Sequence, residues 1–288
     1  MNQQTGLVSG LDAAELDRFV TAALAEDLGK GGDVTSEVTV PAAARLKAEI
    51  ATRQEIVLAG VELAEEFFRR LDGDVVVERL AQDGAKLAPG TPILRLEGAG
   101  RPMLTAERSA LNTLQHLSGI ATLTRTYADA IEGTGCTLLD TRKTIPGLRV
   151  LEKYASHVGG ATNHRLRLDD GILIKDNHIA IVGSLEETVR GAVAAKTGLE
   201  VQVEVDRIDQ IEPALSAGAE RLLCDNMTPD MLREAVALVA GRVPIEASGG
   251  VQLDTIRAIA ETGVDFVSVG RITQSAPAAD IGLDYANA

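Results

Sequence analysis

From the run CTLLD, which ends at Asp140, short apolar stretches alternate with amphipathic ones. The apolar runs continue as GILIKD, VQVEVD, RLLCDN, VPIEAS and DFVSVG, spaced about 20 to 35 residues apart. Between them lie SLEETVRGAVAAKTG, RIDQIEPALSAGA, TPDMLREAVALVAG and QLDTIRAIAETG, whose apolar residues recur at three-to-four spacing. This rhythm predicts repeated strand–helix units and a parallel sheet. Thr228 with Pro229 predicts an N-cap and first turn, and Gly198, Gly218, Gly241 and Gly263 sit where helices end. Six strands, with 119–124 as a candidate seventh, favour a parallel α/β barrel over a doubly wound open sheet. No G-x-G-x-x-G turn follows the strands, which weakens the open-sheet alternative further.

Residues 1 to about 115 follow another pattern. A helix is predicted near 11–27, followed by a mixed segment and by the strand-like stretches LKAEIATRQEIVLAG and DVVVERLAQDGAKLAPGTPILRLEG. This reads as an α+β domain, 1–115, ahead of a barrel domain, 116–275. A long helix, TAERSALNTLQHLSGIATLTRTYADAIEG, joins the halves. The turn-rich pieces DGAKL and PGTPIL resemble lipoyl-type carriers, but no lysine stands alone on a hairpin tip as such a carrier needs.

Composition narrows the choice of partners. The chain has 288 residues, of which 45% are hydrophobic and 24% charged, ordinary globular values that leave both one barrel and two smaller domains open. No run approaches a membrane span and the N-terminus lacks a secretory pattern, so a cytoplasmic location is expected. Cys136 and Cys224 each sit in an apolar run and read as buried thiols. No CxxC or HExxH spacing marks a metal site. A net charge of −14 and only 2% aromatic residues argue against nucleic acid and anionic membranes as partners.

One region reverses the sign. Between 140 and 175 there are seven Lys or Arg against four Asp or Glu. Arg142, Lys143 and Lys175 immediately follow apolar runs, as do Glu204, Asp206, Asp225, Asn226, Ser248 to Gly250 and Ser268 to Gly270, while His164 and Arg165 lie on an intervening loop. In a barrel all the strand ends meet at one mouth. Arginine forks and lysine charges together suit a ligand with several anionic groups, although each could instead be a solvated loop charge paired with Glu152, Asp169 or Asp170. Glu204 and Asp225, from successive strands, suit Mg²⁺ or ribose hydroxyls, and could equally be ordinary strand-end acids. Ser248, Gly249 and Gly250, with Ser268 and Gly270, offer backbone N–H groups of the kind that bind phosphate, though small loops also serve tight barrel turns.

Seven segments carry a resemblance that spans nearly the whole chain: AEDLGKGGDVTS, AERSALNTLQHLSGIAT, DTRKTIPGLRVLEKYA, GGATNHRLRLDDGILIKDNH, VQVEVD, CDNM and EASGGV. In this order they resemble the quinolinate phosphoribosyltransferase family of type II phosphoribosyltransferases. The resemblance implies an N-terminal open α/β sandwich to which 276–288 return, an incomplete α/β barrel, and a homodimer whose site is completed by the partner's N-terminal domain. It implies transfer from phosphoribosyl pyrophosphate to quinolinate with decarboxylation, using Mg²⁺ and no organic cofactor. By position, Arg108 resembles the arginine supplied across the interface, and Arg142, His164, Arg165 and Lys175 resemble the quinolinate ligands. Lys143 falls beside phosphoribosyl pyrophosphate, Glu204 and Asp225 near ribose and Mg²⁺, and Ser248, Gly249, Gly250, Ser268 and Gly270 in phosphate loops. The expected catalytic set is Lys143, Lys175, Glu204 and Asp225. His116 and Gln274 depart from the family, which more often has arginine and histidine there. His157 and His178 read as structural hydrogen-bonding residues.

Two other readings compete. Lys175 at a barrel strand end would suit a Schiff-base aldolase. A non-catalytic anion-binding protein would use the same cationic cluster without releasing pyrophosphate.

Overall fold

A computed structural model of the chain describes residues 13–285. The expected helix start at residues 11 and 12, most of the N-terminal stretch scanned for a secretory pattern, and residues 286–288 lie outside it. In chain order the elements are α1 (Ala13–Leu28), α2 (Val34–Thr39), β1 (Arg45–Thr52), β2 (Ile56–Val57), α3 (Val61–Leu71), β3 (Val76–Arg79), β4 (Lys86–Leu87), β5 (Pro92–Ala99) and α4 (Gly100–Ala130). They continue with β6 (Thr137–Leu139), α5 (Arg149–Gly159), β7 (Ile172–Ile174), α6 (Asp176–Val182), α7 (Leu185–Ala194), β8 (Val201–Val205), α8 (Ile211–Ala217) and β9 (Arg221–Asp225). The last are α9 (Pro229–Val239), β10 (Ile245–Ser248), α10 (Ile256–Ala260), β11 (Phe266–Ser268), α11 (Arg271–Gln274) and β12 (Ile281–Tyr285). The described residues form two compact units, one of residues 13–123, 150–159 and 275–285, the other of 124–149 and 160–274.

The first unit is built on a four-stranded antiparallel sheet in the order β12-β1-β5-β3. Period-two alternation gives it two unlike faces. Ala48 and Ile50 of β1, opposite Leu96 and Leu94 of β5, join a core that includes Val20, Phe67, Phe68 and Leu114. Helix α3 exists because Val61, Leu63, Ala64, Phe67 and Phe68 bury one stripe, while Glu66 and Arg70 pair outside at 2.9 Å. Asp83 accepts the orphan N–H groups of Gly60 and Val61 at the start of this helix, at 2.7 and 3.0 Å.

The candidate strand at 119–124 is part of α4. Leu111, Leu114, Leu117 and Ala121 are buried at three-to-four spacing, so the helical period prevails over the short apolar run. Gly119 sits in this helix because a Cβ there would collide with the Pro277 carbonyl.

The second unit contains all six expected strands, β6 to β11, parallel in the order β6-β11-β10-β9-β8-β7. The first strand in chain order pairs with the last, whereas β6 and β7 form no ladder with one another. That order is a barrel with one open seam. Thr228 caps α9 through Met231 N at 3.3 Å, with Pro229 in the first turn. Gly218 takes the left-handed conformation after α8, but α9 stops at Ala240, so that Ala240 and not only Gly241 takes positive φ. No helix among the described residues is long and apolar enough to cross a membrane.

Candidate active site

Strand register decides which side chains share the interior. The pairing of Glu204 with Leu223, Leu223 with Glu246 and Glu246 with Phe266 puts these four on one sheet face. Two residues further along each strand, Asp225 pairs with Ser248, and Ser268 pairs with Leu139. Gln202 and Arg221 pair on the same face, one step earlier. Val203, Val205, Leu222, Cys224, Ala247 and Val267 occupy the other face and are buried. The sheet therefore turns Glu204, Asp225, Ser248 and Ser268 inward at the C-terminal ends of its strands, where barrels keep their reactive groups.

The cations gather around this end. Arg142 follows β6 and is half-buried, with Nε buried and without a hydrogen-bond partner; Arg165 Nε is in the same condition. Arg165 donates from Nη1 to the Gly171 carbonyl at 2.9 Å. Burial, and then the nearby Arg142 charge, lower its guanidinium below the usual arginine range. Two like charges held together with unsatisfied, desolvated edges are arranged for an anion with several oxygens.

Lys175 and Glu204 form an ion pair at 3.1 Å, the lysine side chain 47% exposed and the glutamate 14%. His178 accepts the Lys175 N–H through Nδ1 at 2.9 Å, a structural role as the sequence suggested. Lys143 runs against Gly270 so closely that a Cβ there would lie 2.6 Å from Lys143 Cδ. Thr273 Oγ1 donates to the Lys143 carbonyl at 2.8 Å, fixing the backbone of that lysine.

Asn226 donates from Nδ2 to Asp225 Oδ2 at 2.6 Å, and its own backbone is left-handed, with φ of 55°. Its side-chain oxygen fills the space that a Cβ on Gly249 would need, and Gly249 itself has φ of 88°. Glycine is therefore required at 249 for both backbone and space. Asn226 N donates to the Ser248 carbonyl at 2.9 Å, tying the Asp225 end to the Ser248–Gly250 loop. Among the described residues no cluster of three or more His, Cys, Asp or Glu could hold a metal.

His164 is drawn inward by groups the sequence did not single out. Its Nε2 lies 3.3 Å from Glu246 Oε2, and Arg221 and Gln202 reach the same oxygen. A cavity of about 490 Å³ borders this cluster, lined by Asn163, His164, Arg165, Gln202, Arg221 and Phe266 among others. The signal was present in IEAS and VQVEV, where polar residues alternate with apolar ones, but alternation alone reads as a solvated strand face.

Two predicted residues lie in the first unit. Arg108 is exposed on α4. His116, on the same helix, meets fully buried Glu152 at 2.9 Å, a helix-packing contact. Gln274 is exposed in α11. Burial pushes both thiols, Cys136 and Cys224, up to about 12, but only Cys224 is the buried thiol that the apolar runs suggest, Cys136 being half-buried.

Comparison with known proteins gives these features a family. The sequence profile of the quinolinate phosphoribosyl transferase N-terminal domain matches residues 33–118, and that of the C-terminal domain matches 120–284. A nicotinate-nucleotide pyrophosphorylase [carboxylating] of Mycobacterium leprae is 44% identical over 272 residues, 92% of this chain and 95% of that protein. A probable nicotinate-nucleotide pyrophosphorylase [carboxylating] of Bacillus subtilis is 39% identical over 271 residues, 94% of this chain and 93% of that one. The solved nicotinate-nucleotide pyrophosphorylase of Francisella tularensis superposes with a TM-score of 0.92 at 38% identity, covering 98% of this chain and all of that one. With both domain profiles matched in order and relatives aligned along nearly its full length, the chain belongs to the quinolinate phosphoribosyltransferase family.

Proposed function

We propose that the chain transfers phosphoribose from phosphoribosyl pyrophosphate to quinolinate and decarboxylates the product to nicotinate mononucleotide, as a pentosyltransferase of NAD biosynthesis. The observation that carries this reading is the Arg142–Arg165 pair, two guanidinium groups whose Nε atoms are buried and unsatisfied, at the end of a sheet that also presents Lys143 and Lys175. A pyridine dicarboxylate meeting a polyphosphate brings at least four anionic groups into one cleft, and only a locally cationic site in this acidic chain can hold them.

The pyridine nitrogen attacks C1 of the ribose, and the C1–oxygen bond breaks with its electron pair leaving on pyrophosphate. The C2–carboxylate bond then breaks, CO₂ departs, and the electron pair stays on C2 beside the positively charged ring nitrogen. A proton from solvent completes nicotinate mononucleotide. The alkylated ring is its own electron sink, so no organic cofactor is required. Arg142, Arg165 and Lys175 hold the carboxylates, and Lys143 neutralises the departing pyrophosphate by preorganised charge. Glu204 and Asp225 face the cationic ribose, and the backbone of Ser248, Gly249, Gly250, Ser268 and Gly270 receives phosphate oxygens.

Glu204 and Asp225 would hold Mg²⁺. Two carboxylates fit a hard cation that keeps water and phosphate oxygens in the rest of its shell, the usual condition of Mg²⁺ in polyphosphate enzymes. When bound, the ion supplies charge neutralisation to pyrophosphate.

A homodimer with Arg108 crossing into the partner's site belongs to the same reading, as does a cytoplasmic location. Support for an interface comes from Val34 and Val38 of α2, large apolar side chains left exposed in the first unit. Mixed Arg108→Ala and Lys175→Ala subunits should then recover activity that neither has alone, and exchange without recovery would refute the shared site.

The Schiff-base alternative finds no support among the relatives, and Lys175 Nζ is paired with Glu204 Oε2 at 3.1 Å. The deciding assay combines protein, quinolinate, phosphoribosyl pyrophosphate and Mg²⁺, and follows CO₂ and mononucleotide together. Their stoichiometric formation is expected. Covalent capture at Lys175 by borohydride with a ketone, without pyrophosphate release, would overturn the proposal.

A further inference from the structure

Below the cationic loop the second unit buries two carboxylates that the reaction does not touch. Glu246, in the middle of β10, is 0% exposed. Its Oε2 accepts from Gln202 Nε2 at 2.9 Å and from Arg221 Nη2 at 2.7 Å, and it lies 3.3 Å from His164 Nε2. Arg221 in turn stacks over the Phe266 ring, 4.0 Å from its centroid, which fixes the guanidinium from above. Burial alone would raise the Glu246 carboxyl, but His164, Arg221 and Gln202 outweigh it and hold the group below the usual range, as an anion.

The other nitrogen of His164 is engaged as well. The backbone N–H of Arg165 donates to His164 Nδ1 at 2.7 Å. A backbone amide can only donate, so Nδ1 carries the lone pair and the ring proton is assigned to Nε2, directed at Glu246. At the other end of the residue, Asp140, also 0% exposed, accepts the His164 N–H at 2.8 Å and Asn163 Nδ2 at 2.6 Å. His164 is thus clamped between two buried acids, with its ring bridging Glu246 and the amide of Arg165.

Such an arrangement has a cost that packing does not require. A buried ion cluster is seldom more stable than apolar residues of the same volume, so its presence calls for a use beyond cohesion. The use lies at the end of the chain of contacts. Rotating the His164 ring would release the Arg165 amide and, with it, the direction from which Arg165 enters the anion pocket.

We infer that Glu246 is a positioning residue for the dicarboxylate substrate: by fixing the tautomer and orientation of His164 it aims Arg165, the neighbour whose amide the ring holds. This rests on the quinolinate reading above. Asp140 holds the same loop from its backbone side, so Glu246 governs the ring and Asp140 the chain.

Three measurements test it. The chain has only four histidines, so long-range ¹H–¹⁵N spectra of the intact protein, assigned with His164→Gln, resolve the His164 tautomer. The Nε2–H form is expected, and an Nδ1–H form overturns the proposal even if no Glu246 variant folds. Calorimetric binding then compares wild type with Glu246→Gln and Glu246→Asp. Glu246→Gln should weaken quinolinate roughly 10- to 100-fold, the scale of misplacing a binding group by a fraction of an ångström, while binding of phosphoribosyl pyrophosphate changes less than about twofold. Glu246→Asp should recover part of the loss. Equal weakening of both substrates would mean a merely structural role and would overturn the assignment. Finally, adding Glu246→Gln to His164→Ala should cause no further loss, whereas additive losses would show that the two residues act separately. A wild-type protein that binds no quinolinate would refute the functional reading instead, and the spectra would still decide whether Glu246 orders His164.

Discussion

The two sheets of this chain treat charge in opposite ways. In the first unit ions stand on the solvent side of β1, β5 and β3, as direct cross-strand neighbours: Lys47 opposite Glu97 at 3.0 Å, Glu49 opposite Arg95 at 3.0 Å, and Glu78 opposite Arg95 at 3.4 Å. The reverse face is apolar and holds the core. In the second unit the helix-covered face is apolar and the enclosed face carries Gln202, Glu204, Arg221, Asp225 and Glu246. The same alternation of polar and apolar positions thus produces a solvated surface in one place and a reaction chamber in the other. What separates them is closure, because a sheet curled upon itself has no solvent side for its polar row.

That contrast can be broken at its strongest points first. Phe67 is fully buried and meets Phe19 edge to face, with centroids 6.1 Å apart. Phe67→Ala should cost about 3 to 5 kcal/mol in urea unfolding, without altering turnover of the molecules that remain folded. Arg142→Ala should do the reverse, reducing kcat/KM for quinolinate by about 100- to 1,000-fold while the unfolding midpoint stays close to wild type. A smaller effect follows from acid. Since the folded-state carboxyl of Glu246 is depressed, its stabilisation is fully present above the ordinary glutamate range and is lost as pH falls through the folded value. Urea midpoints of wild type should therefore fall more steeply on acidification than those of Glu246→Gln. The smallest effect belongs to the outer ions. Arg95→Ala should leave both activity and unfolding midpoint unchanged, because exposed pairs contribute little. A large loss there would erase the distinction between the two sheets.

Much of this division was legible in the residues. Each of the six parallel strands was marked by an apolar run with turn chemistry after it, and at four of them the register turns a polar residue near the strand end, Glu204, Asp225, Ser248 or Ser268, toward the mouth. The stretch GIATLT misled because a short apolar run has no period of its own, and only the flanking positions of α4 show it to be helical. The antiparallel pairing of β12 with β1 had no local signal, since a terminal segment of a few residues declares its partner only through tertiary contact. Glu246 and Arg221 were hidden for a related reason: a charged residue inside a strand looks solvated until barrel curvature encloses it. Helix α2, capped by Asp33 through Ser36 N at 3.0 Å, was passed over within the mixed segment because six residues carry too little periodicity.

The open seam leaves β6 and β7 as the two margins of the parallel sheet, and a free margin can recruit strands from other molecules. Both margins are only three residues long. Thr162 also meets the β6 margin, donating its N–H to the Leu138 carbonyl at 2.9 Å and accepting from Asp140 N at 3.3 Å. Stubby, partly sheathed borders make poor templates for intermolecular stacking, so the gap that keeps this barrel unclosed carries little risk of fibre formation.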